Sequence, residues 1–240
     1  TKRTMVSILA MVVGCFSKAV YIPFLALYWL MPKDKFYSRR QKNLFKAGIF
    51  VLLILMFASF ILPLIGNVTS GAEVGDYRGG DTSQTSQLSM ILGYPLTYTG
   101  VLLKSLGTTF ASYFIGSKVL ANFAYRGIYD GIGYFVVLLT MLFTFVTDFG
   151  MTEKIYDAQM KRKIFIMKIW NAVLIFGTAC LVWTALYLDF TPVGSMVING
   201  VSPRYYLPLI FPLSLIFINQ KVRCSMKLEN YQSLIAFLML

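Results

Sequence analysis

The chain has 240 residues, 57% hydrophobic and 13% charged, with a mean hydropathy of +0.67. Soluble domains carry about a quarter charged residues, so this composition excludes a soluble fold. The 22 Lys and Arg against 10 Asp and Glu leave a net charge of +12. In an apolar chain that excess collects in short cytoplasmic loops, and no basic helix interleaved with aromatics stands apart, so nucleic acid is excluded as a partner.

In chain order, residues 4–31 are apolar except for Lys18. As one straight helix they would extend about 42 Å, against a bilayer core of about 30 Å. The segment either tilts or breaks near Gly14 to Lys18 into two shorter pieces. A basic connection follows, with Lys33, Lys35, Arg39, Arg40, Lys42 and Lys46 against Asp34 alone. Residues 47–65 are free of charge and form the clearest span; 131–147, 169–188 and the shorter 205–219 are further spans. Two more basic connections carry Lys154, Lys161, Arg162, Lys163 and Lys168, and then Lys221, Arg223 and Lys227. All three basic connections are expected in the cytoplasm, which makes 66–130 an outer-face segment.

Within that segment, 66–87 is rich in Gly, Ser, Thr and Asp and reads as loop. Residues 96–116 are moderately apolar but carry Lys104, and parity makes them an interfacial or re-entrant helix on the outer side. Two crossings through 96–130 would also keep parity, but Lys118 and Arg126 disfavour them. The expected fold class is all-α: a polytopic helical membrane protein, one transmembrane domain with an outer layer of loop and interfacial helix. Thr1 at the start and the apolar run Y-Q-S-L-I-A-F-L-M-L at the end suggest a portion of a longer chain.

The chain has no histidine, which removes His-based triads, metal ligands and proton relays. Cys15, Cys180 and Cys224 share no metal or redox spacing, so neither a metal nor a cofactor is expected. Gly127, Gly131 and Gly133 lack a preceding strand and read as close helix packing rather than a phosphate loop.

Four features bear on chemistry. Arg204 lies at the outer mouth of the last span in S-P-R-Y-Y-L-P-L, where Pro203 suits a first turn and Pro208 loosens it. A permanent cation beside a helix N-terminus suits a phosphate, whereas an anchor for lipid headgroups needs only a snorkelling side chain. Lys18 is an ammonium in an apolar stretch; it either faces a cavity or marks a helix break at an interface. Glu73, Asp76 and Asp81 are the outer-loop acids, each able to act as a general base, to hold a divalent cation or simply to be solvated. Asn67-Val68-Thr69 fits the glycosylation triplet, and Arg126 and Asp130 are placed to pair.

Three stretches also resemble a known family. They are S-K-A-V-Y-I-P-F (17–24), G-G-D-T-S-Q-T-S-Q-L-S-M-I-L-G-Y-P-L (79–96) and T-P-V-G-S-M-V-I-N-G-V-S-P-R-Y-Y-L-P-L (191–209). In order and spacing they resemble the C-terminal half of the bacterial membrane family called domain of unknown function 2142. That family is similar to GT-C glycosyltransferases, which take sugars from polyprenyl-phosphate carriers at the outer membrane face. The resemblance implies that Lys18 and Arg204 contact the carrier phosphate, that Tyr21 and Tyr205 shape its pocket, and that Gln87 belongs to an outer-loop lid. Pro203 stands where the family pattern has Gly, and Ala19 where it has Pro. GT-C enzymes carry their acid in the first outer loop, so Asp81 is the best remaining carboxylate here. The expected function is glycosyltransferase-like: transfer of a polyprenyl-phosphate-linked sugar for cell-surface polysaccharide or teichoic acid modification. The alternative is a transporter, flippase-like or accessory subunit for such lipids. The expected partners are the lipid-linked sugar, membrane lipids and envelope-assembly proteins, and the expected location is the cell membrane, crossed several times.

Overall fold

A computed structural model describes residues 2–16, 18–70, 81–115, 132–147, 158–217 and 225–239, and every regular element among them is helical. Among the described residues the α-helices are α1 Lys2–Phe16, α2 Arg39–Ser70, α3 Gln84–Gly93, α4 Pro95–Ile115, α5 Ile132–Thr147, α6 Ala158–Phe190, α7 Ile210–Phe217 and α8 Leu228–Met239. The 3-10 helices among these residues are Ala19–Leu30, Lys33–Lys35 and Pro203–Leu209. The chain divides into two compact units, one of residues 1–107 and 176–201, the other of 108–175 and 202–240.

In the first unit, the segment 4–31 is broken rather than continuous. α1 ends at Phe16, and Lys18 is extended (φ −151°, ψ 101°) before the 12-residue 3-10 helix Ala19–Leu30. Such helices rarely exceed one turn because their hydrogen bonds are poorer. Two local causes sustain this one. Pro23 lies inside it and cannot donate to an α-helical ladder. All 12 of its residues are also apolar or aromatic, and a three-residue turn aligns every third one on one face. Ala19, Ile22, Leu25 and Tyr28 form that face; Ile22 and Leu25 are fully buried with Cys15 of α1 and Met56 of α2. Tyr28 donates its hydroxyl proton to Ser7 Oγ at 2.9 Å, and the Trp29 indole N–H donates to the Lys46 carbonyl at 3.3 Å. The 3-10 segment is thereby bonded to α1 on one side and to α2 on the other.

α2 is the longer continuation of the expected span 47–65. Its 32 residues extend about 48 Å, beyond the hydrocarbon core at one end or both. Residues 66–70, expected as loop, complete its last turns, where Thr69 Oγ1 donates back to the Gly66 carbonyl at 3.0 Å. The Asn67-Val68-Thr69 triplet is therefore helical. α6 likewise encloses 169–188 within 33 residues. α2 and α6 are long and apolar enough, by length and composition, to cross a membrane. Only 11% and 28% of their most apolar windows are buried, so most of their side chains are left to an apolar solvent.

In the second unit, α5 packs on α7 and α8. The hydroxyls of Thr147 and Tyr231 share a buried hydrogen bond of 2.8 Å, while Phe143 meets the Tyr231 ring at 6.1 Å. Phe145 stacks on Phe217 at 6.4 Å between centroids. The expected short span 205–219 coincides with the 3-10 helix Pro203–Leu209 and α7, and 218–219 fall outside the described residues. Also outside are Glu73, Asp76, Lys118, Arg126, Gly127, Asp130, Gly131, Lys154, Lys221, Arg223 and Cys224.

Leu25 is fully buried, whereas Leu55 on α2 is 61% exposed. Leu25→Ala is expected to lower stability by roughly 2–4 kcal/mol through the cavity it leaves. Leu55→Ala is expected to change it by less than about 0.5 kcal/mol. Thermal unfolding of the two variants in the same detergent tests the contrast.

Candidate functional site

The best-defined polar structure in the first unit joins α3 to the loop 189–201. Ser83 caps α3, its hydroxyl oxygen accepting from the Ser86 N–H at 3.3 Å. This start lies inside D-T-S-Q-T-S-Q, a stretch expected as loop; Gln84 to Gln87 are helical instead. The hydroxyl of Ser83 at the N-cap explains the difference, since it satisfies an N–H that the first turn leaves open.

From α3 two amides reach the loop. Gln84 Nε2 donates to Asp189 Oδ1 at 2.6 Å. Gln87, 1% exposed, donates its Nε2 to the carbonyls of Thr191 at 2.9 Å and Pro192 at 3.2 Å. Just before the helix, the Asp81 carbonyl accepts from the Val193 N–H at 3.2 Å. The loop is also tied internally. Fully buried Thr191 donates its hydroxyl to the Leu186 carbonyl at 3.2 Å and accepts from the Asn199 N–H at 3.1 Å. Buried Ser105 of α4 accepts from the Ile198 N–H at 3.4 Å. Tyr98 of α4 donates to Thr184 Oγ1 of α6 at 2.6 Å, and Tyr187 donates to the Met90 sulfur at 3.1 Å.

Two glycines let this loop turn. Gly194 and Gly200 both have φ of +80°, a region that a side chain disfavours. At Gly200 the space is closed as well: a Cβ would stand 2.9 Å from the Cβ of Phe190. The glycine of the G-V-S-P-R-Y stretch is thus required by backbone conformation and by the phenylalanine behind it.

The six residues singled out from sequence are distributed as follows. Lys18 is exposed at the α1/3-10 break, where its N–H donates to the Cys15 carbonyl at 3.1 Å and its carbonyl accepts from Tyr21 at 3.2 Å. Tyr21 is half-buried and stacked on Phe24 with planes 6° apart. The Asp81 side chain is exposed, while its backbone carbonyl joins the loop clamp that also holds Gln87. Gln87 is sealed from solvent and acts by positioning the loop. In the second unit, Arg204 is half-buried with its guanidinium carbon 5.6 Å above the Tyr205 ring centroid, a cation–π arrangement. Pro203 opens the helix, as its missing N–H suits. The helix is 3-10 and only seven residues long, however, and α7 begins at Ile210. The helix-terminus contribution to anion binding expected at Arg204 is therefore small, and the positive charge there is that of the guanidinium.

Gln84, Thr191 and Ser105 were not singled out from the sequence. Ser83 before Q-T-S-Q-L carries the N-cap signal that would have found α3. No local signal announces Ser105 or Thr191: Ser105 accepts from Ile198, 93 residues on, and the Thr191 carbonyl accepts from Gln87, 104 residues back. All three resembling stretches, 17–24, 79–96 and 191–209, fall within residues 1–213, which match the family described as predicted membrane protein, domain of unknown function 2142. The chain belongs to this family. No curated protein and no solved structure matched it. In this member of family 2142, Asp81 and Gln87 of the second stretch are hydrogen-bonded to residues 191–193 of the third.

Gln87→Leu keeps the volume but leaves the Thr191 carbonyl buried without its donor, which costs about 1–3 kcal/mol. Hydrogen exchange should accelerate at the Val193, Ile198 and Asn199 amides, with little change in α2. Gly200→Ala is expected to destabilise more than Gly194→Ala. Both face the left-handed penalty of about 1–2 kcal/mol, but only Gly200 has Phe190 in the way. Equal melting temperatures for the two alanine variants would contradict that account.

Proposed function

We propose that this protein is a multi-pass, glycosyltransferase-like protein of the cell membrane. It uses a polyprenyl-phosphate-linked sugar at the outer face to modify cell-surface polysaccharide or teichoic acid. The observation that carries the reading is Arg204, a half-buried permanent cation braced over Tyr205 at the entrance to an apolar helical pair. A planar guanidinium offers paired donors to phosphate oxygens, and partial burial strengthens that attraction. Lys18, exposed at a helix break beside Tyr21 in the first unit, is the other cation that the family resemblance assigns to the carrier phosphate. The resemblance to GT-C glycosyltransferases supplies the substrate class.

The proposed reaction is a substitution at the anomeric carbon. A carboxylate takes the proton of the acceptor hydroxyl, and the acceptor oxygen bonds to the anomeric carbon. The bond from that carbon to the carrier phosphate breaks, and the phosphate leaves with the electron pair. Arg204 stabilises the charge that grows on the leaving phosphate. Asp81 is the proposed base: its side chain is exposed, and its backbone is held against the loop 189–201 by the bond to Val193.

Photo-crosslinking with a polyprenyl-phosphate probe in membranes tests the binding step. Capture should be competed by unlabelled carrier and should fall about tenfold in Arg204→Leu, the loss of one charged hydrogen-bonding partner. Arg204→Lys should restore only part of it, because an ammonium cannot make the paired contact. Equal capture in wild type and Arg204→Leu would reduce Arg204 to a membrane anchor. Asp81→Asn should keep capture and lose sugar transfer; full transfer would remove Asp81 as the base. Capture with no transfer by the wild-type protein would favour a transporter or accessory subunit.

A further inference from the structure

α2 carries a second feature that the glycosyltransferase reading does not use. An open apolar groove of about 490 Å³ runs beside it, lined by Phe50, Leu53, Ile54, Phe57, Ile61 and neighbouring side chains, with Trp29 as its end wall. These residues recur at three- and four-residue intervals, so they form one face of the helix. From Phe50 to Leu62 that face extends about 18 Å, close to the depth of one leaflet of a ~30 Å hydrocarbon core.

The same face continues toward the helix start. Lys46 and Lys42 precede Phe50 by four and eight residues, placing them one and two turns further along it. Both are half-buried, and Arg39 follows at the next helical interval in a segment with six basic residues and one acid between 33 and 46. The junction between charge and groove is built by Trp29. Its ring stacks on Phe50 at 6.3 Å and its indole N–H bonds to the Lys46 carbonyl at 3.3 Å. Lysines that only snorkel to bulk headgroups need no such aligned apolar channel.

We propose that this face of α2 binds a single anionic phospholipid, with an acyl chain in the groove and the phosphate on Lys42 and Lys46. Charge selects the headgroup: a zwitterionic lipid fills the groove equally well but brings no net negative charge to the two ammonium groups. Trp29 marks the level of the headgroup boundary, the depth at which an amphipathic indole is favoured. Because Trp29 lies near the end of the 3-10 helix that begins after Lys18, the bound lipid braces that helix against α2.

The test is photolabelling in nanodiscs of phosphatidylcholine containing a trace of phosphatidylglycerol with a photoreactive group on its acyl chain. Peptide mapping should place the label on Trp29 and on 50–62. Added phosphatidylglycerol should compete and added phosphatidylcholine should not. The double variant Lys42→Gln/Lys46→Gln should lower capture about tenfold, given roughly a kcal/mol for each basic residue near an anionic surface. Ala58→Trp, which fills the groove from the same helix, should remove the label from 50–62 and leave labelling of α6 unchanged. Label spread evenly over the exposed faces of α2 and α6, equal competition by both lipids, or wild-type capture in both variants would each overturn the proposal.

Discussion

A backbone placed in hydrocarbon has no water to satisfy its N–H and carbonyl groups, and each unsatisfied group costs several kcal/mol. That constraint organises the described chain. α2 and α6 answer it with helices of more than 30 residues each, and α2 continues through Pro63 although that residue donates nothing to the ladder. Other prolines lie where the helix is 3-10 instead, Pro23 in one segment and Pro203 and Pro208 in another. Where the chain leaves helix altogether, between 189 and 201, side chains stand in for the ladder. Gln87, Thr191 and Ser105 supply the donors and acceptors that a helix would have supplied within itself.

This substitution explains why two distant stretches carry recognisable sequence. α3 and the loop 189–201 are separated by more than ninety residues, yet neither has its polar groups satisfied without the other. The glutamine must be an amide, because one nitrogen donates to two carbonyls at once. The glycine must lack a side chain, because Phe190 occupies the space. The arginine is under a different constraint: within its own unit its guanidinium meets the Tyr205 ring. Residues required by folding and the residue proposed to bind a ligand thus lie four positions apart in one short motif, from Gly200 to Arg204.

Much of the helical architecture was legible in the sequence, for physical reasons that differ by segment. The run 47–65 announced itself because a helix in lipid needs unbroken apolarity. The break near Lys18 was one of two open options, and the third-residue spacing of Ala19, Ile22, Leu25 and Tyr28 decides it once the 3-10 geometry is known. Composition misled at 66–70 and 84–87. Gly, Ser, Thr and Gln favour loops on average, but at a helix terminus their side chains bond back to the open backbone, as Thr69 and Ser83 do. Thr191, Ser105 and the closed space at Gly200 were not legible at all. Each depends on a partner brought near by folding, and a single sequence contains no record of such pairs. Arg204 stood out because a cation before an apolar run is conspicuous; its ring partner, the next residue, could be inferred only from the side-chain geometry.

The 3-10 helix Ala19–Leu30 also sets a length. At about 2.0 Å per residue its 12 residues reach roughly 6 Å further than the same residues would as α-helix. Lys18 stands at one end of this segment and Trp29 near the other. Rewinding it to α-helical pitch would draw those ends together and turn Ile22 and Leu25, now aligned, about 60° apart, which disturbs the core they share with Cys15 and Met56. The packing of two apolar side chains therefore fixes how far a cation is held from an indole, and that distance cannot change without opening the core.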